Sequence, residues 1–110
     1  MGIVLSEDTH FEWDEHNIAH IAKHKVIPEE AEEVFFQEPQ VITYDGKHSS
    51  EKEVRYSFLG QTKEKRLLTI IFTLRGEGKD KIRVISARDQ SNKEEKEYKI
   101  EIEKGSENKT

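Results

Sequence analysis

A chain of 110 residues, 33% hydrophobic and 37% charged, holds one modest core, so it reads as a single domain over 1–110 whose ends, 1–9 and 105–110, are expected to fray. It has no cysteine, which excludes disulfides and thiolate metal sites and fits a reducing compartment. The net charge of −5 argues against a generally sticky nucleic-acid binder, but the acids cluster at 29–38 and 94–107 and leave room for a local basic patch.

Residues 1–6 are too short for a signal peptide, and no apolar run approaches about 18 residues, so the expectation is a cytoplasmic chain without a membrane span. His10, Phe11, Glu12 and Trp13 alternate as a short strand with Phe11 and Trp13 on one face. Asp14 is a good N-cap for a helix over 15–25 that carries Ile18, Ala19, Ile21 and Ala22. Pro28 opens a second helix, with Glu29 and Glu30 at its positive end and Ala31, Val34 and Phe35 as its stripe; Pro39 requires it to stop by Glu38.

The period then changes to two. Residues 41–44 form a short strand and 45–52 a polar loop. Residues 53–60 alternate, with Val54, Tyr56 and Phe58 opposite Glu53, Arg55 and Ser57. Residues 67–74 are almost continuously apolar, as in a central strand covered on both faces. After a glycine-containing loop comes a strand over 82–87. Ser91 to Glu94 is a capping box opening a last helix from Asn92 to about Glu103. The fold class is α+β: an antiparallel four- to five-stranded sheet, two N-terminal helices and a C-terminal helix, with the helices packed on one face of the meander.

Arginines mark the two best strands: Arg75 ends one, and Arg83 and Arg88 lie within and after the next. Arginine is costly in a strand unless it is paired or aimed at a wet site. Two readings stay open, an anion-binding sheet face and ordinary ion pairs with neighbours such as Glu77 and Asp80. Regular alternation puts Arg83 with Ile85 and Arg88 with Ile82, Val84 and Ser86, so both arginines serve one site only if the chain twists or bulges at Ala87. His16, His20 and His24 recur every four residues, but without a His-Glu-x-x-His motif a solvated helix face is the better reading than a metal site. Ser86 lacks a nearby histidine, and Trp13 and Tyr98 read as packing residues. No phosphate-loop, dinucleotide or Gly-x-Ser-x-Gly motif is present, which leaves phosphodiester chemistry. Metal-free RNA cleavage needs a base, an acid and cations for the developing charge. Arg55, Arg75, Arg83 and Arg88 are the candidates for the cations, with Glu53, Lys23, His24 and His48 as candidate proton carriers.

Phe11-Glu12-Trp13-Asp14, Lys23-His24-x-Val26, Glu30-Ala31-x-x-Val34-Phe35 and Ile82 to Arg88, followed by Glu94 and Tyr98, resemble the BrnT toxin family in joint order and spacing. The resemblance implies a RelE-like fold and an endoribonuclease toxin that needs no cofactor or metal. It also implies a BrnA-like antitoxin that neutralises the toxin by direct binding and alone brings the complex to DNA. The candidate residues are Arg55, Arg75, Arg83, Arg88 and Glu53 for catalysis, and Lys23, His24 and Lys25 for RNA binding. Relatives often carry Gly at Lys25, Asn at His20 and arginines around Glu95 and Glu97. The alternative expectation is a non-catalytic interaction module with a toxin-like fold.

Overall fold

The protein is represented by a computed structural model that describes residues 9–107. The expected fraying of residues 1–8 and 108–110 lies outside it. In chain order the elements are strand β1 (His10–Phe11), helices α1 (Glu15–Ala22) and α2 (Pro28–Val34), strands β2 (Val41–Tyr44), β3 (Arg55–Gln61), β4 (Leu67–Arg75) and β5 (Lys81–Asp89), and helix α3 (Asn92–Glu107). The sheet order is β1-β5-β4-β3-β2, with the almost wholly apolar β4 at its centre. β2 to β5 form the expected antiparallel meander. The sheet as a whole is mixed, because β1 runs parallel to β5.

Local chemistry sets the helix ends. Asp14 accepts from the amides of His16 and Asn17, while Asn17 Oδ1 accepts from the Asp14 amide at 2.7 Å, closing a capping box. α1 ends at Ala22, earlier than the apolar pattern alone extends. Lys25 then turns the chain in the left-handed region (φ 59°), where a Cβ is disfavoured. α2 ends at Val34, because the amides of Phe35, Phe36 and Gln37 bond three residues back and tighten the last turn. α3 continues through Glu107, past the expected stop near Glu103, so residues 105–107 are helical rather than a tail.

The core lies between the α1–α2 layer and one sheet face. Ile21, Val26, Ala31, Val34 and Phe35 pack on Phe58, Leu68, Ile70, Phe72, Ile82, Val84 and Ala87. Phe35 is its hub, with ring centroids 4.7 Å from Phe58 and 5.3 Å from both Phe11 and Phe72. Full burial of such a ring contributes about 1.5–3 kcal/mol. Helix and sheet meet closely at Gly60, where a Cβ would lie 2.4 Å from Val34 Cγ1. Trp13 packs against this core and donates from Nε1 to Glu32 Oε2 at 2.8 Å.

The helices do not share one face. Thr69 alternates with core residues Leu68 and Ile70, so it reaches the other side, where its hydroxyl donates to Glu94 of α3 at 2.9 Å. Tyr98 anchors α3 there: it is fully buried, and its hydroxyl donates to the Pro39 carbonyl at 2.6 Å. The rest of that face is left for the arginines.

Candidate active site: an arginine cluster on the sheet

Across the β4–β5 ladder Thr73 pairs with Arg83 and Phe72 with Val84, but Ile71 pairs with Ser86. Ile85 is therefore an extra residue, a β-bulge, two positions before the expected Ala87. Further along, Thr69 pairs with Arg88. Thr69 and Thr73 are four apart on one strand and share a face, so the bulge places Arg83 and Arg88 on that same face. Regular alternation had put them on opposite faces, with Arg83 beside Ile85. Arg55 pairs with Thr73 from the other side and Arg75 lies two residues beyond it, so Arg55, Arg75 and Arg83 surround Thr73 on the side away from the core.

These guanidiniums are tied together by acids. Arg55 Nε donates to Glu53 Oε1 at 2.7 Å, and Arg75 Nη2 donates to Glu53 Oε2 at 2.9 Å. Glu12 Oε1 stands 3.5 Å from Arg75 Nη1 and 3.2 Å from Arg83 Nη1. Arg83 also grips Asp14, at 2.9 Å to Oδ2 and 3.2 Å to Oδ1. The order is Arg55, Glu53, Arg75, Glu12, Arg83, Asp14, with signs alternating throughout. The ion-pair reading was right that the arginines are paired. The partners come from β1, the α1 cap and the β3 approach rather than from Glu77 and Asp80.

Asp14 and Glu53 are held ionised. The hydrogen bond from Arg83, followed by the Asn17 amide, lowers Asp14 to about 2. Arg55 first and Arg75 second pull Glu53 below the ordinary carboxylate value. Asp14 in turn pushes the Arg83 guanidinium higher still, so it stays charged throughout the accessible range. Glu53 is thus a well-anchored anion and a weak proton acceptor. An open cleft of about 500 Å³ borders the cluster, lined by Glu53, Tyr56, Thr73, Arg75 and Lys79 among others.

Arg88 stands apart, about 13 Å along the sheet from Arg83 at strand spacing. It forms a two-pronged pair with Glu94, at 2.7 and 3.1 Å, capping the last helix. That hydrogen bond, with help from the Ser91 amide and Thr69, lowers Glu94 to about 2. Lys23, His24 and Lys25 lie at the C-terminal end of α1. The His24 and Lys25 carbonyls accept from Arg66, which also holds Glu30 and Asp89. Arg66 precedes β4 and Arg75 ends it, a span of roughly 30 Å, so the tripeptide is not brought to the arginine cluster. His48 bonds Asp45 beside a 3-10 turn. Glu12, Asp14 and Arg66 went unrecognised as parts of these networks. For Glu12 a signal existed, since alternation sets it opposite Phe11 and Trp13.

A family model described as the ribonuclease toxin, BrnT, of type II toxin–antitoxin systems matches residues 13–94. The chain belongs to the BrnT family. The match takes in Arg55, Arg75, Arg83 and Arg88, whereas Glu12 lies just outside it. Membership in the BrnT family implies an RNA target and an antitoxin partner. No curated protein matches the chain at a significant level. No helix among the described residues is long and apolar enough to cross a membrane.

Proposed function

We propose that this chain is a metal-independent endoribonuclease that arrests growth by cleaving RNA in the cytoplasm. We further propose that a BrnA-like antitoxin neutralises it by direct binding and alone carries the complex to DNA. The observation that carries the reading is the strand register, which sets Arg55 and Arg83 on either side of Thr73 and Arg75 two residues beyond it, all on the sheet face away from the core. An arginine fork matches two phosphate oxygens, so a backbone phosphate entering here exchanges one carboxylate partner for another anion of similar geometry. Negative charge on the non-bridging phosphate oxygens grows as the new bond forms, and fixed guanidiniums around them stabilise that increase more than they stabilise the ground state. Glu12, Glu53 and Asp14 keep the forks oriented, which limits the reorganisation needed when substrate arrives.

The test is RNA cleavage in the presence of EDTA by wild type, Arg75→Ala and Arg83→Ala, alongside growth on induction. Both substitutions are expected to lower cleavage sharply and relieve growth arrest; cleavage retained in both removes the arginine face from the mechanism. Because every arginine of the face is already paired, a second reading also has support: a toxin-like module whose activity is binding the antitoxin. It predicts harmless expression with tight complex formation.

A further inference from the structure

We infer that His16 and His20 of α1 form a proton-transfer pair beside Arg83, serving a phosphodiester whose ribose carries a free 2′-hydroxyl. The inference rests on the ribonuclease reading above and deepens it. Glu53, Glu12 and Asp14 are engaged by arginines, so the cluster holds cations for phosphate but no free base. The histidines stand on the adjoining helix. His16 and His20 are one turn apart on the same side of α1, their Cβ atoms about 6 Å apart by helix geometry. Together with Asn17, Arg83, Val84 and Ile85 they line a shallow pocket of about 190 Å³.

The pocket exists because of two features already described. β1 ends at Phe11, so beyond Ile82 the outer edge of β5 has no strand partner. The amides of His10 and Glu12 bond Asp80 O and Ile82 O, and Asn17 Nδ2 takes the next outward carbonyl, Val84 O, at 3.1 Å. The side-chain amide thus continues the ladder by one rung and fixes the first turns of α1 against β5. The bulge residue Ile85 follows directly and forms the far wall. Both histidines are exposed, and neither ring has a hydrogen bond or ion pair among the described residues, so their nitrogens are available to a ligand. The charged groups around the pair are Asp14 and Glu15 at the helix start, Glu12 and Arg83 across from it, and Lys23 and His24 beyond the last turn.

Imidazole is the side chain suited to both giving and taking a proton near neutral pH. One neutral ring accepts the 2′-hydroxyl proton as the 2′-oxygen bonds to phosphorus. The bond from phosphorus to the 5′-oxygen breaks, and the other ring, protonated, donates its proton to that leaving oxygen. Arg83 holds the non-bridging oxygens. The products are a 2′,3′-cyclic phosphate and a 5′-hydroxyl, with no net proton change.

The experiment uses the purified chain in EDTA with a labelled messenger RNA, supplied free and on ribosomes, and a short oligonucleotide with one 2′-deoxy linkage. Wild type, His16→Ala, His20→Ala, His20→Gln and Arg83→Ala are compared across pH, with thermal melting to verify folding. His16→Ala and His20→Ala are each expected to lose about a hundredfold or more in kcat/KM, to lose one limb of a bell-shaped pH profile, and to melt like wild type. His20→Gln keeps the size and polarity and is expected to stay equally impaired, and the 2′-deoxy linkage is expected to survive. Cleavage that is lost in Arg83→Ala but proceeds at the wild-type rate and pH profile in both histidine variants overturns the pair while sparing the ribonuclease reading. No cleavage by wild type in either form overturns both.

Discussion

Exchanging Asn17 for Asp separates what the helix wants from what the sheet edge needs. Asn17 sits at the third position of α1, 3% exposed, and its side chain makes three hydrogen bonds. Oδ1 accepts from the Asp14 amide, while Nδ2 donates to Glu12 O at 2.9 Å and Val84 O at 3.1 Å. Aspartate keeps the capping bond and adds a negative charge near the helix N-terminus, which alone favours the helix by about 0.3–1 kcal/mol. It has no donor, however, so the two carbonyls lose their partner and face a carboxylate. Each orphaned buried acceptor costs about 1–3 kcal/mol, and the net expectation is a destabilisation of about 3 kcal/mol. With a urea slope of about 1.5 kcal/mol/M, the unfolding midpoint falls by about 2 M. Equilibrium urea unfolding followed by circular dichroism reads this directly. A midpoint equal to or above wild type refutes the claim that Asn17 completes the β5 edge, because helix-end electrostatics alone predicts that sign.

Glu94 has a folded value near 2 against an ordinary 4.5, so its stabilising pairing is fully present above the ordinary value and is lost as pH falls from there toward 2; Glu94→Gln is expected to flatten the urea midpoint over that window, and a wild-type slope in the variant counts against it. Lys25→Gly removes a Cβ from a left-handed residue and is expected to stabilise by about 1 kcal/mol, measured by the same unfolding assay. Gly60→Ala drives a methyl into Val34 and Phe58 and is expected to cost about 1–3 kcal/mol, visible as a lower melting temperature. Glu12→Gln frees Arg75 and Arg83 from a shared carboxylate and is expected to tighten RNA binding, with a steeper salt dependence in a filter-binding titration.

Most elements were legible because their signals are local. Asp14 caps α1 and Pro28 starts α2 through bonds that reach no farther than one turn. Alternation in β3 correctly separated Tyr56 and Phe58, which face the core, from Glu53 and Arg55. The capping box at Ser91 and Glu94 formed as read, and Arg88 closed onto Glu94. The two-residue β1 gave no hint of its direction. α3 could be placed on a face only once Tyr98 had found the Pro39 carbonyl, 59 residues away in sequence.

The arginine face shows where sequence stopped being enough. Residue order alone determined that Arg55, Arg75 and Arg83 fall on or beside the best strands and that α1 carries histidines every four residues. It could not determine which face Arg88 takes. Val84 and Ile85 are both apolar, either can fill a core position, and a one-residue bulge leaves no mark in an apolar run. Only the pairing of β4 with β5 decides it, since β4 is regular and its Thr69 and Thr73 fix the face of whatever lies opposite. The charge partners are likewise a tertiary matter. Coulomb attraction depends on distance in space, and β1 brings Glu12 and Asp14 to Arg83 across about 70 residues of chain, while nearby Glu77 and Asp80 go unused by it.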